Sequence, residues 1–205
     1  MRTILLTLCL FMGTILSAQN NVLIEIENAN AVYKVITGDF VRTQTNVAKG
    51  TSIKADGTLY IVGEDQMTQH YKAPSTDLLI INGNDFYMIR GKKTNKFNTE
   101  KNKTMRSLRN TLLYCVHGKP MELATENGAE ITAEKKANEY EVVLISTKKT
   151  ARGYAKIVLT YDLKSKLLTK MRMDEYNGNS TLYEMNNLKT NGNIDAKVFD
   201  IPEKK

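Results

Sequence analysis

From about residue 50 onward, turn signals recur in this chain at the spacing of β-hairpins. Asp56-Gly57 precedes Thr58–Val62, and Gly63-Glu64-Asp65 separates that segment from Met67–Tyr71. Asn82-Gly83-Asn84-Asp85 joins Leu78–Ile81 to Phe86–Arg90. This last signal is the strongest, because Asn and Gly tolerate the positive φ that tight hairpin turns need. Gly91-Lys92 leads into Thr94–Asn98. Strand-like stretches resume at Ala129–Glu134, Tyr140–Thr147, Ala155–Tyr161, Leu167–Asp174 and Thr181–Leu188, with Asn177-Gly178-Asn179 turning the last pair. Phe40 to Asn46 alternates as a strand, and the close from Asn191 to Phe199 and Pro202 reads as a final edge strand. Many short strands without alternating helices exclude a parallel α/β design and predict an antiparallel sheet that curls.

Two segments break the period of two. Val22, Ile26, Ala29 and Tyr33 are spaced as one helical stripe, which Gly38-Asp39 ends. Met105, Leu108, Leu112 and Cys115 share another helical face, with Arg106, Arg109 and Asn110 opposite, and Gly118 with Pro120 stops that helix. The expected class is mainly β with helices (α+β). One helix leads the sheet and one interrupts it.

The first residues set the compartment. Met1-Arg2-Thr3 gives a positive start, Ile4 to Leu16 is almost wholly apolar, and Ser17-Ala18-Gln19 supplies small residues. This is the pattern of a secretory signal spanning residues 1–18, too short to cross a bilayer. Residues 19–205 then form one exported domain, with no internal repeat or linker. Cys9 leaves with the signal, so Cys115 is the single remaining cysteine and an internal disulfide is excluded.

No nucleophile, phosphate-loop or metal-ligand spacing is present, and no cofactor is expected. His70 falls in a strand. His117 ends the central helix, where a charged imidazole would be favoured. Cys115 and His117 face apart on a helix, so Cys115 reads as a buried apolar residue. Asp174 and Glu175 point to opposite sheet faces. A non-enzymatic role is expected.

Two features remain. Several strands are apolar on both faces, and Met67, Met88, Met105, Met171, Met173 and Met185 add adaptable thioethers. These residues either fill a packed core or line an apolar cavity roofed by the Met105–Val116 helix. The formal charge of +7 is also local: Arg90 to Arg109 holds eight basic side chains against Glu100 alone. That run is either a solvated face or a docking patch made by Lys92, Lys93, Lys96, Lys101, Lys103, Arg106 and Arg109. Nucleic acid is not an expected partner, since stacking aromatics are not interleaved with the charges.

The order of these elements resembles the LolA-like family of periplasmic carriers that take lipoproteins to the outer membrane. The resemblance runs through Gly57-Thr58-Leu59-Tyr60-Ile61, Met67, Tyr71 and Pro74. It continues with Leu79-Ile80-Ile81-Asn82-Gly83 and Phe86-Tyr87-Met88, then Asn110-Thr111-Leu112-Leu113, and a tail from Leu188 to Asp195 with Phe199 and Pro202. It implies a half-open antiparallel barrel with a helical lid over an apolar concave face. By that analogy Leu108, Leu112, Leu113 and Cys115 line the lid, and Leu59, Ile61, Met67, Ile81, Met88, Ile145, Leu159, Met171 and Met173 form the wall. It also implies acylated lipoproteins or lipids as cargo, an inner-membrane release complex and an outer-membrane acceptor. A lipid or glycolipid carrier, or a sensory binding domain, would use the same fold. Studied members place a lid-tethering arginine in the turn that here reads Gly63-Glu64-Asp65, so this chain needs a different gating contact.

Overall fold

The computed structural model describes residues 20–148 and 153–202; the expected signal segment lies outside them. Eleven strands form one antiparallel sheet: β1 (Val35–Asn46), β2 (Thr51–Val62), β3 (Gln66–Tyr71), β4 (Leu78–Asn82), β5 (Asp85–Arg90), β6 (Lys93–Asn98), β7 (Ala129–Lys135), β8 (Glu139–Ser146), β9 (Tyr154–Asp162), β10 (Leu168–Glu175) and β11 (Ser180–Thr190). The spatial order is β6-β5-β4-β3-β2-β1-β11-β10-β9-β8-β7. The two halves of the chain thus meet at the β1–β11 ladder, and β6 and β7 are left as edges. The sheet is antiparallel, as the turn spacing predicts, and open and unclosed, as the family resemblance implies.

Alternation gives it one apolar face. Ile61 pairs with Met67 and Met67 with Ile81, while Tyr183 pairs with Met171 and Met171 with Leu159. All of these side chains are buried in one core cluster.

Three helices pack against this face or close its ends. In α1 (residues 20–30) Leu23, Ile26 and Asn30 turn inward. The Asn30 Nδ2 donates to the Ile26 and Lys166 carbonyls at 2.9 and 2.8 Å. Glu25 accepts from Lys166 and from the Tyr140 hydroxyl, both at 2.8 Å. Those two contacts hold its carboxyl below the usual range, Lys166 first. Helix α2 (Lys103–Val116) starts at Asn102, whose Oδ1 accepts the Met105 N–H at 3.0 Å.

Four expectations change. Gly38-Asp39 does not end a helix: both residues lie in β1, beside a register shift against β11. Asp56-Gly57 is not a turn. Gly57 sits inside β2, where a Cβ would lie 2.2 Å from the His70 carbonyl oxygen and 2.8 Å from the Phe40 ring. The glycine makes room for an aromatic side chain and is not there to bend the chain. Pro120 does not simply stop α2; it opens α3 (Pro120–Asn127), a position that tolerates proline because the missing N–H has no helical partner. The C-terminal segment is not an edge strand but a 3₁₀ turn, Ala196–Phe199. It lies against β3, with the Val198 carbonyl 2.7 Å from the His70 Nε2.

Candidate functional site

The two ends of α2 have different surroundings. Leu112 and Cys115 have no exposed surface, Leu113 and Val116 have almost none, and the Cys115 carbonyl accepts the Tyr161 hydroxyl at 2.9 Å. Burial pushes the Cys115 thiol far above its ordinary value, so it is a packing group. Toward the N-terminus, Met105 and Leu108 are only half-buried. They line a cleft of about 480 Å³ bounded by Lys103 and Thr104 on the helix and by Tyr154, Glu175, Tyr176 and Asn177 from the ends of β9 and β10. A pocket of about 140 Å³ shares Ser107, Tyr154 and Tyr176 with it and reaches Leu144 and Ile157 on the inner face.

Under the C-terminal half of α2 little space is left. The crevice among Ile36, Leu59, Ile61, Val116, Leu167 and Met185 measures about 10 Å³. That is at most the room of one water molecule. Leu59, Ile61, Met67, Ile81, Leu159, Met171 and Met173 are brought together as one wall, with Met88 packed partly buried against it. In this conformation α2 fills the space in front of them.

Ile145 is a correction. Its neighbours Leu144 and Val142 point inward, so Ile145 takes the outer face and is 51% exposed. Asn110 is a second. It is buried, accepts from Arg109 Nη1 at 2.8 Å, and donates Nδ2 to the two Glu126 carboxylate oxygens at 2.9 and 2.8 Å, tying α2 to α3.

A family model described as outer membrane lipoprotein carrier protein LolA matches residues 31–202. The chain belongs to the LolA family. Among solved structures it is similar to a DUF1329 family protein from Desulfovibrio piger, with 10% identity and a TM-score of 0.50, covering 90% of this chain and 96% of the other. A LolA superfamily protein from Nitrosomonas europaea shows 8% identity and a TM-score of 0.44 over 89% and 97% of the two chains. Lipoprotein LppX from Mycobacterium tuberculosis shows 13% and 0.41 over 84% and 96%. No curated protein matches the chain.

In this LolA-family chain α2 is held by contacts from three turns. Arg109 Nε donates to the Gly83 carbonyl at 2.7 Å, in the β4–β5 turn where Gly83 has φ +57°. Arg106 Nε donates to the Thr99 carbonyl at 3.0 Å. The turn after β2 offers Glu64 to Lys119, just past the helix, at 3.1 Å. The lysine holds the Glu64 carboxyl below the usual range. Two members of the basic run are therefore bound to backbone, and Lys96 pairs with Asp85 at 2.7 Å. Lys92, Lys93, Lys101 and Lys103 are exposed and make no ion pair among the described residues. His117 is a further correction. It is buried, and desolvation, with Lys119 adding to it, lowers its pKa, so the helix ends on a neutral imidazole.

Proposed function

We propose that the protein is a periplasmic carrier that takes the acyl chains of lipoproteins between the concave sheet face and α2, and passes them from the inner to the outer membrane. The observation that carries this reading is the division of α2: its half-buried N-terminal half borders an open cleft, while its C-terminal half packs into the apolar cluster of the sheet face. Each acyl CH₂ moved into water costs ~0.8 kcal/mol, so acylated cargo needs a dry apolar surface to cross the periplasm. The wall offers that surface once the N-terminal half of α2 lifts, and the methionines on it adapt to chains of different shape. Arg106 donates to the Thr99 and Glu100 carbonyls and Arg109 to the Gly83 carbonyl, hydrogen bonds at the helix surface that a moving N-terminal half can break and remake without rearranging its core half.

Docking at a membrane-bound release complex or acceptor falls to Lys92, Lys93, Lys101 and Lys103, the members of the basic run with no ion pair of their own among the described residues. An anionic surface attracts each such side chain by about 1 kcal/mol within a Debye length.

Native mass spectrometry of protein isolated from its own periplasm tests the carrier reading. Bound acylated protein or lipid is expected, released by mild detergent. Repeated isolation of bare protein, together with no uptake of a fluorescent acyl probe by the purified chain, would overturn it.

A further inference from the structure

One charged residue stands on the inner face of β1. Ile36, Gly38 and Phe40 alternate toward the core, and Arg42 follows in the same series, paired with Ala55 on β2 and Tyr183 on β11. Its guanidinium carbon lies 4.6 Å from the centroid of the Tyr71 ring. Its Nε is shut off from solvent and has no hydrogen-bond partner among the described residues. No carboxylate pairs with it among the described residues. A guanidinium so placed has given up water at one nitrogen without a hydrogen bond in exchange, a cost that an oxyanion accepting from it would offset.

The position fits an amphiphile. On one side of Arg42 the floor is apolar, with Phe40 and Met185 buried. On the other the inner face runs out into solvent, where Gln44 and Ile53 pair in the projecting β1–β2 hairpin and Ile53 is 63% exposed. Arg42 thus marks the line where apolar floor meets water. Tyr71 and Tyr183 both pack against Phe40, the residue before Arg42 on this face, with ring centroids 5.0 and 6.1 Å from its own. The Tyr71 hydroxyl itself donates to Gln69 Oε1 at 3.2 Å.

We propose that Arg42 is the anchor for the anionic head, a carboxylate or phosphate, of an amphiphile whose alkyl part lies along the concave face. The guanidinium presents a planar fork that matches either oxyanion, and the Tyr71 ring fixes its plane. This ligand class differs from an acylated protein, whose chains need no counter-charge; the inference rests on the carrier reading only for the apolar part of the site.

The test uses the full, delipidated chain with cis-parinaric acid and its methyl ester, which share one alkyl chain and differ in charge. The wild type is expected to bind the acid about tenfold more tightly than the ester, the worth of one charge-assisted contact. Arg42→Gln should bring the ratio of the two affinities to about one, and Arg42→Lys should restore part of the preference. Millimolar inorganic phosphate should not displace the acid; if it does, the site is for free anions and the amphiphile is wrong. Equal binding of acid and ester by the wild type overturns the Arg42 anchor while leaving the carrier reading intact. So does a loss of both in equal proportion in Arg42→Gln. Failure of the wild type to bind either probe overturns both.

Discussion

Truncating Leu112 or Leu108 to alanine removes the same three carbons from the same helix, yet the structure assigns the two changes different consequences. Leu112 has no exposed surface and lies within the core cluster that joins α2 to the sheet. Its truncation loses the transfer energy of those carbons and leaves a cavity that the surrounding strands cannot collapse, about 2–5 kcal/mol in all. Leu108 is half-buried and already borders the open cleft. Truncation there enlarges existing space, and the cost is about 1 kcal/mol, from the partial burial alone. With a urea dependence of about 2 kcal/mol per molar, Leu112→Ala should lower the unfolding midpoint by about 1–2.5 M and Leu108→Ala by about 0.5 M. Urea titration followed by circular dichroism, with unchanged slopes, measures both. Equal shifts would refute the division of α2 into a core half and a movable half, and with it the route by which cargo enters.

His117 sets a pH dependence. Its pKa is lowered in the folded state, chiefly by desolvation, so the unfolded chain takes up a proton first as pH falls. The stability it contributes is whole above its unfolded pKa of about 6.5 and is lost as pH falls from there through the depressed folded value. The urea midpoint should therefore fall between about pH 7.5 and 5, above the range where Glu25 and Glu64 protonate, and the slope should flatten in His117→Gln; an identical pH profile in the variant would refute the assignment. Gly57→Ala places a methyl 2.2 Å from the His70 carbonyl and 2.8 Å from the Phe40 ring. A loss of about 1–3 kcal/mol is expected from such overpacking, read by thermal unfolding, and a neutral result would refute the packing role given to this glycine.

The parts legible in the sequence are those where local chemistry decides. The β4–β5 hairpin follows from Asn82-Gly83, because the turn itself needs φ > 0, and α2 follows from the period of its apolar stripe. The misread parts are those where distant residues decide. Asp56-Gly57 has the letters of a turn, but the glycine answers to Phe40 and His70 from neighbouring strands. Asn110 looks like a surface residue beside two arginines until α3 brings Glu126 to it. Ile145 lies in a run apolar on both faces, Val142 to Ile145, where alternation has no contrast to read; only the pairing of Leu144 with Ile157 settles which side is inner. Arg42 carried no signal at all, since its meaning depends on Tyr71 and Tyr183 arriving from other strands.

The sheet has ten ladders and two unpaired edges. Lys93 and Lys96 stand on β6, and Glu130, Glu134 and Lys135 on β7, charges that discourage strand addition by another chain. Leaving the edges apart has a mechanical result. A closed barrel has its girth fixed by strand number and stagger. An open sheet can change girth by small, shared changes of twist at every ladder, with no backbone hydrogen bond broken. For the carrier role proposed above, such a sheet would widen for a bulky guest and tighten around a slim one, like a cuff and not a sleeve.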